Sequence, residues 1–314
     1  MAEIGQDIAK ASILLRSGGV VAIPTETVYG LAANALDADA VVKIFDIKQR
    51  PFFDPLIIHV SGKSALMRYI EHISPLIEDV MEAFCPGPIT FLLPKRDMIP
   101  DIVTSGLPNV AIRIPCHPHT LQLLEMLPFP LAAPSANPFG YISPTSAQHV
   151  ADQLGDAIPY ILDGGECHVG VESTIISEEN GNILVHRLGG ISIEDLYKIT
   201  RHVHLAVGAS SNPKTPGQLD SHYAPRKSML LRAKIEDYTK EDTGYLTFGK
   251  NAQSPHHLDL SPSRNLHEAA VHLFAYMRLL DANTKIKVIE AELLPEEGLG
   301  KAINDRLRRA SIIV

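Results

Sequence analysis

The chain has 314 residues, 45% of them hydrophobic and 20% charged, with a formal net charge of −8. That length and balance read as soluble and globular, with a substantial core and more than one domain. No apolar run approaches the roughly 18 residues of a membrane span, and the start Met1-Ala2-Glu3-Ile4-Gly5 lacks a basic-then-apolar secretory pattern, so a cytoplasmic location with no membrane partner is expected.

Residues 19–23 are a short β-branched run stopped by Pro24 and predict a strand, and residues 39–48 place Val41, Ile44, Phe45 and Lys48 at helical spacing. Residues 55–60 predict a second strand, 64–84 a mostly helical stretch and 89–93 a third strand. In the run Val110 to Pro115, a strand would put Val110, Ile112 and Ile114 on one face and Ala111 and Arg113 on the other. Later strands are predicted at 157–162, 173–177 and 183–188, an α/β alternation.

Residues 206–225 are rich in turn formers and carry no apolar period, which predicts a linker. Beyond it, strands at 229–231 and 244–248, a helix at 265–280, a strand at 286–289 and a helix at 299–309 suggest a small doubly wound unit. The predicted division is a first domain at 1–205, the linker at 206–225 and a second domain at 226–314. No Gly-x-Gly-x-x-Gly follows the first strand of the second domain, so no dinucleotide is expected there.

Arg113 is the only Lys or Arg between Arg96 and Arg187. A guanidinium buried in an apolar run needs an anion, and either a structural carboxylate or a ligand would serve. Residues 1–200 hold 12 Lys+Arg against 23 Asp+Glu, a balance of −11. Such a body is a poor non-specific nucleic-acid binder, since that affinity comes mostly from neutralising phosphates.

Several clusters place polar chemistry at element ends. Pro24-Thr25-Glu26-Thr27-Val28-Tyr29-Gly30 follows the first strand, where ligands enter open α/β sheets, or forms only a polar strand-to-helix turn. Lys48-Gln49-Arg50-Pro51 ends a predicted helix, as a dipole cap or as a polyphosphate contact stiffened by proline. Small and polar residues gather at Ala132-Ala133-Pro134-Ser135-Ala136-Asn137 with Ser143 behind, and at Glu172-Ser173-Thr174 with Arg187 on the next strand.

Other signals fail. Ser61-Gly62-Lys63-Ser64 lacks the earlier glycine of a phosphate loop, and no nucleophile elbow or Cys/His nucleophile pattern occurs. Cys85, Cys116 and Cys167 support neither a disulfide framework nor a zinc ribbon. Catalysis by positioning and charge is favoured over covalent catalysis.

Together these motifs resemble the long, two-domain form of the L-threonylcarbamoyladenylate synthases, a YrdC-like family. The resemblance extends through Pro86-Gly87-Pro88-Ile89-Thr90, His222-Tyr223-Ala224-Pro225 and Asn304-Asp305-Arg306-Leu307-Arg308-Arg309. It implies an α/β fold with a twisted mixed-sheet YrdC-like catalytic domain and a small Rossmann-like second domain. It also implies condensation of L-threonine, bicarbonate and ATP to threonylcarbamoyl-AMP and pyrophosphate, a nucleotidyl transfer that supplies a tRNA threonylcarbamoyl transferase machinery. Whether tRNA is touched directly stays open.

By the same resemblance, Arg113 clamps the threonine carboxylate with Thr27, His59 and Ser173, while Lys48 and Arg50 meet the triphosphate with Mg²⁺ bridging its oxygens. Asp54, Asn109, Ala133, Ser143 and Arg187 line the nucleotide side, Ser135 lies between the substrates, and Tyr223 folds over the pocket as a lid. Asp54 departs from the asparagine of many relatives, and a carboxylate there repels phosphate unless it reaches a ribose hydroxyl or Mg²⁺. A hydrogenase-maturation carbamoyl-adenylate domain and an RNA-binding module are the alternatives.

Overall fold

Asp7, Asp37, Ser74, Ser146 and Asn265 each accept hydrogen bonds from the first turn of the helix that follows, so these five helix starts are written in short polar side chains. The structure is a computed structural model that describes residues 1–206, 222–251 and 253–311. Most of the predicted linker, including the turn-former run at 208–217, lies outside the described residues. In chain order come β1 (Glu3–Gly5), α1 (Ile8–Arg16), β2 (Val21–Ile23), β3 (Gly30–Asn34), α2 (Ala38–Lys48), β4 (Ile57–His59), α3 (Lys63–Leu66), α4 (Pro75–Phe84) and β5 (Ile89–Pro94). Then follow α5 (Asp101–Thr104), β6 (Asn109–Arg113), α6 (Pro118–Met126), β7 (Leu131–Ala132), α7 (Ala147–Leu154), β8 (Tyr160–Leu162), β9 (Thr174–Glu179), β10 (Asn182–Arg187), α8 (Ile193–Leu196) and β11 (Val203–Leu205). Beyond the linker are β12 (Ser228–Arg232), β13 (Thr243–Thr247), β14 (His257–Asp259), α9 (Leu266–Ala282), β15 (Val288–Glu292) and α10 (Leu299–Ala310).

The first eleven strands form one mixed sheet in the order β1-β8-β2-β3-β7-β4-β6-β5-β9-β10-β11. The last four form a separate, wholly parallel sheet in the order β12-β15-β13-β14. A parallel sheet needs helical crossovers, and α9 supplies a long one: its Leu273, Phe274 and Met277 are fully buried in the second core.

Two features differ from the sequence reading. The stretch 64–84 is two helices, α3 and α4, because Ser74 caps a new helix and Pro75 sits in its first turn, while Ile70 leaves to bridge Lys95. The segment 24–30 joins antiparallel strands β2 and β3, with Gly30 already the first residue of β3, so it is not a strand-to-helix turn; it follows the carboxyl end of β2, whose other neighbour β8 is parallel.

Strand alternation decides where the site lies. Ile58, Phe91, Ile112 and Ile176 point into the main core. Ile57, Leu92, Ala111 and Ile175 form a small apolar cluster of their own. Two residues along each strand from that second group are His59, Thr90, Arg113 and Ser173, so one sheet face carries an apolar row and then a polar row. Helix α2 aims Val41, Ile44 and Phe45 inward, and Lys48 falls on the same buried stripe.

Candidate functional site

The polar row opens into a cleft whose wall includes Thr27, Arg50, Arg113, Ser135, Ser173 and Tyr223. Strands β4 and β6 are parallel neighbours in which His59 pairs with Arg113, so both side chains stand at carboxyl ends of parallel strands.

Arg113 is buried and already partnered. Its Nη2 donates to Glu26 Oε1 at 2.5 Å and its Nη1 to Thr27 Oγ1 at 2.9 Å, whereas Nε is buried without a partner. The turn after β2 makes this possible. Thr25 Oγ1 accepts from the backbone N–H of Thr27 and of Val28, and Cys116 N–H donates to the other Glu26 oxygen at 3.1 Å. Burial raises the Glu26 carboxyl, but the Arg113 charge and hydrogen bond outweigh it and leave the group below its ordinary range. Of the two anions that could satisfy Arg113, the structural carboxylate is present within the fold.

His59 is pushed down to about 3 by burial first and by the Arg113 charge second, so its ring is neutral across the working range. Its Nδ1 is buried without a partner. Thr90 and Ser173 share a hydroxyl hydrogen bond of 2.7 Å, and Arg187 donates to the Ser173 carbonyl and hydroxyl at 3.1 and 3.0 Å.

At the other end of the cleft, Arg50 Nη2 lies 2.9 Å from Asp54 Oδ2 and also donates to the Pro55 carbonyl. Asp54 is raised by burial, with Arg50, Lys48 and Arg187 opposing. Its carboxylate therefore answers Arg50, a partner absent from the two that the sequence reading considered. Lys48 is expected at a triphosphate. Instead its ammonium donates to the carbonyls of Ser135 and Asn137, and burial holds it well below the usual lysine range. Gln49 in the left-handed region ends α2 and turns Arg50 toward the cleft.

Ala133 and Ser135 line the cleft. Ser143 is buried with its hydroxyl donating to Glu172 Oε1 at 2.6 Å, so it reaches the site through that carboxylate. Asn109 is not brought there: it opens β6 opposite Pro94, four residues from Arg113 at the other end of the strand. Tyr223 is fully buried at φ 65°, stacked on Phe274, and lines the cleft beside His222.

Sequence reasoning named Glu26 and Glu172 only as parts of motifs. Their task as internal counter-ions was implicit in the need of Arg113 for an anion, but the partners are 87 residues apart. Arg306 was likewise read only as part of a motif, and it contacts Glu172 across 134 residues. Among the described residues, no group of three or more His, Cys, Asp or Glu side chains could hold a metal ion, and no helix is long and apolar enough to cross a membrane.

A polar row at strand ends and a cleft lined by three guanidinium groups and bounded by His222 and Tyr223 of the linker define a ligand-binding protein of the YrdC-like class. The family model spanning the Sua5, YciO and YrdC proteins, described as "Telomere recombination", matches residues 13–189, and one described as "Threonylcarbamoyl-AMP synthase, C-terminal domain" matches residues 191–311. The chain belongs to the threonylcarbamoyl-AMP synthase family in its long, two-domain form.

Threonylcarbamoyl-AMP synthase of Pyrococcus abyssi is 40% identical, with 96% of this chain and 93% of that protein covered. The Bacillus subtilis enzyme of the same name is 38% identical over 97% and 92%. The crystal structure of P. abyssi Sua5 complexed with L-threonine superposes with a TM-score of 0.90 at 36% identity, covering 97% of this chain and 94% of that one. The two-domain α/β fold expected from the sequence is thus the one observed.

Proposed function

We propose that this chain condenses L-threonine, bicarbonate and ATP to threonylcarbamoyl-AMP and pyrophosphate, as a nucleotidyltransferase serving tRNA modification. The observation that carries the reading is the charge of the cleft. Three guanidinium groups, Arg50, Arg113 and Arg187, line it against one carboxylate, Glu172. Anionic substrates redress that balance, and the reaction needs orientation and charge compensation rather than a protein nucleophile.

In this reading Arg113, with its plane fixed by Glu26 and Thr27, offers Nε to the threonine carboxylate, and neutral His59 adds a polar contact without repelling it. Ser173 completes this side. The threonine amine takes up bicarbonate with loss of water to give a carbamate, whose oxygen attacks the α-phosphorus in line as the α–β phosphoanhydride bond breaks and pyrophosphate leaves. Arg50 and Arg187 face the phosphates, and Lys48 keeps one N–H beyond the two given to carbonyls. Ser135 lies between the substrates and Tyr223 covers them. Asp54 serves to hold Arg50. Beyond that ion pair its two buried oxygens accept no hydrogen bond among the described residues, and Mg²⁺ would arrive on the triphosphate oxygens.

The test is pyrophosphate release by purified protein with ATP, Mg²⁺ and bicarbonate, with threonine present, absent or replaced by serine, and mass detection of the adenylate. Threonine- and bicarbonate-dependent release with the expected adenylate is the expected result. Turnover indifferent to threonine would overturn the proposal.

A further inference from the structure

Arg306 belongs to α10 of the four-stranded unit, yet it is fully buried against the other unit. Its Nε donates to Glu172 Oε2 at 2.9 Å, and its guanidinium carbon stands 5.2 Å from the centroid of the Tyr223 ring. Nη1 donates to Asp305 at 2.9 Å, and Nη2 is buried without a partner. Both groups it touches across the boundary, Glu172 and Tyr223, line the cleft. An orphaned donor on a buried guanidinium weakens the fold, and such a group calls for a functional reason.

Glu172 links Arg306 to the nucleotide side. Its second oxygen accepts from Ser143, and the next residue, Ser173, accepts from Arg187 through carbonyl and hydroxyl. Arg278 of α9 reinforces the same segment by donating to the Ser143 carbonyl at 3.2 Å. The Arg113 clamp of the threonine side does not depend on this chain of contacts, because Glu26 and Thr27 hold Arg113 from within the eleven-stranded unit, and Ser173 is the one threonine-side residue that the chain touches.

We propose that Arg306 is a positioning residue supplied by the second unit, which sets Glu172 and Tyr223 so that the nucleotide half of the cleft is formed while the Arg113 clamp of the amino-acid half stands without it. This deepens the synthase reading and rests on it. The contact explains why the small parallel sheet, which has no nucleotide fingerprint of its own, is packed against the site.

The experiment compares full-length wild type, Arg306→Ala and Arg306→Lys by steady-state kinetics in both substrates, by calorimetric titration with ATP alone and by thermal melting. Lysine keeps a buried charge and guards against a variant that fails to fold, but it lacks the fork that spans Glu172 and Asp305. For folded variants, the expected result is a KM for ATP raised about tenfold or more, with the KM for threonine within about twofold of wild type. Arg306→Ala and Glu172→Gln combined should cost less than the product of their separate effects, because they break one contact.

Equal changes in both KM values, unchanged kinetics, or independent effects in the double variant would overturn the proposal. The titration separates it from the synthase reading. A wild type that binds ATP but makes no adenylate counts against the reaction, whereas ATP affinity unaltered by both Arg306 variants counts against the positioning role.

Discussion

The two halves of the cleft are built by different means. The Arg113 half stands on neighbouring strands of one sheet, where His59, Arg113 and Thr90 follow an apolar row by strict alternation and one carboxylate from a nearby turn completes it. The Arg50 half is assembled from a helix end, two loops and a helix of the other unit, with main-chain carbonyls engaging Lys48 and Arg50. A sheet fixes a site by its periodicity, whereas the second half depends on contacts between distant segments. The first should therefore fail locally when changed and the second should fail by loosening.

The largest expected effect is at Arg113. Arg113→Ala removes the carboxylate clamp and leaves Glu26 buried without its cation, a defect worth about 3–5 kcal/mol of stability. The KM for threonine should rise on the order of a hundredfold, read by pyrophosphate release at saturating ATP. An unchanged threonine requirement would remove Arg113 from the amino-acid half.

Glu26→Gln comes next. It keeps the volume but discharges the pair, and stability should fall by about 2–3 kcal/mol with a smaller rise in the threonine KM. The pH dependence follows from its depressed carboxyl. The folded group loses its proton more readily than the unfolded one, so its stabilisation is complete above the ordinary value of 4.5 and is lost as pH falls through the lower folded value. Denaturant midpoints of Glu26→Gln should vary less than wild type over that acid window.

His59 works in the same sense, in a window that opens at higher pH. The unfolded ring takes a proton near 6.5 and the folded ring only at about 3, so acidification within that window favours the unfolded chain. Melting temperatures of His59→Gln should fall less steeply than wild type between about pH 6.5 and pH 4. The smallest effect is expected at the exposed Lys63–Glu78 pair of the first unit. Lys63→Ala should shift stability by less than about 0.5 kcal/mol and leave both KM values alone.

The same contrast governs what could be read in advance. The period of two placed Arg113 opposite Ile112 and required an anion for it, and Ile57 and His59 were put on one face correctly. Helix α2 was legible from Val41, Ile44 and Phe45, and Lys48 with it, but the spacing could not say that Lys48 would be spent on the Ser135 and Asn137 carbonyls. Asp54 looked like a hazard for phosphates because its partner Arg50 was weighed as a phosphate contact alone. Asn109 and Arg113 share one strand, four residues apart, and of the two only Arg113 lines the cleft. The segment 64–84 was misread because apolar residues continue through Tyr69 and Ile70, although Ser74-Pro75 already carried the signature of a fresh helix start.

The ion pair between Glu172 and Arg306 also has a consequence for biosynthesis. A chain emerging from the ribosome in order makes Glu172 and its neighbours 134 residues before their cation exists. During that interval a carboxylate bound for burial has Ser143 as its hydrogen-bond donor but lacks Arg306. The nascent protein thus passes through a stage in which the amino-acid half is already drawn and the nucleotide half is still waiting for its last strut.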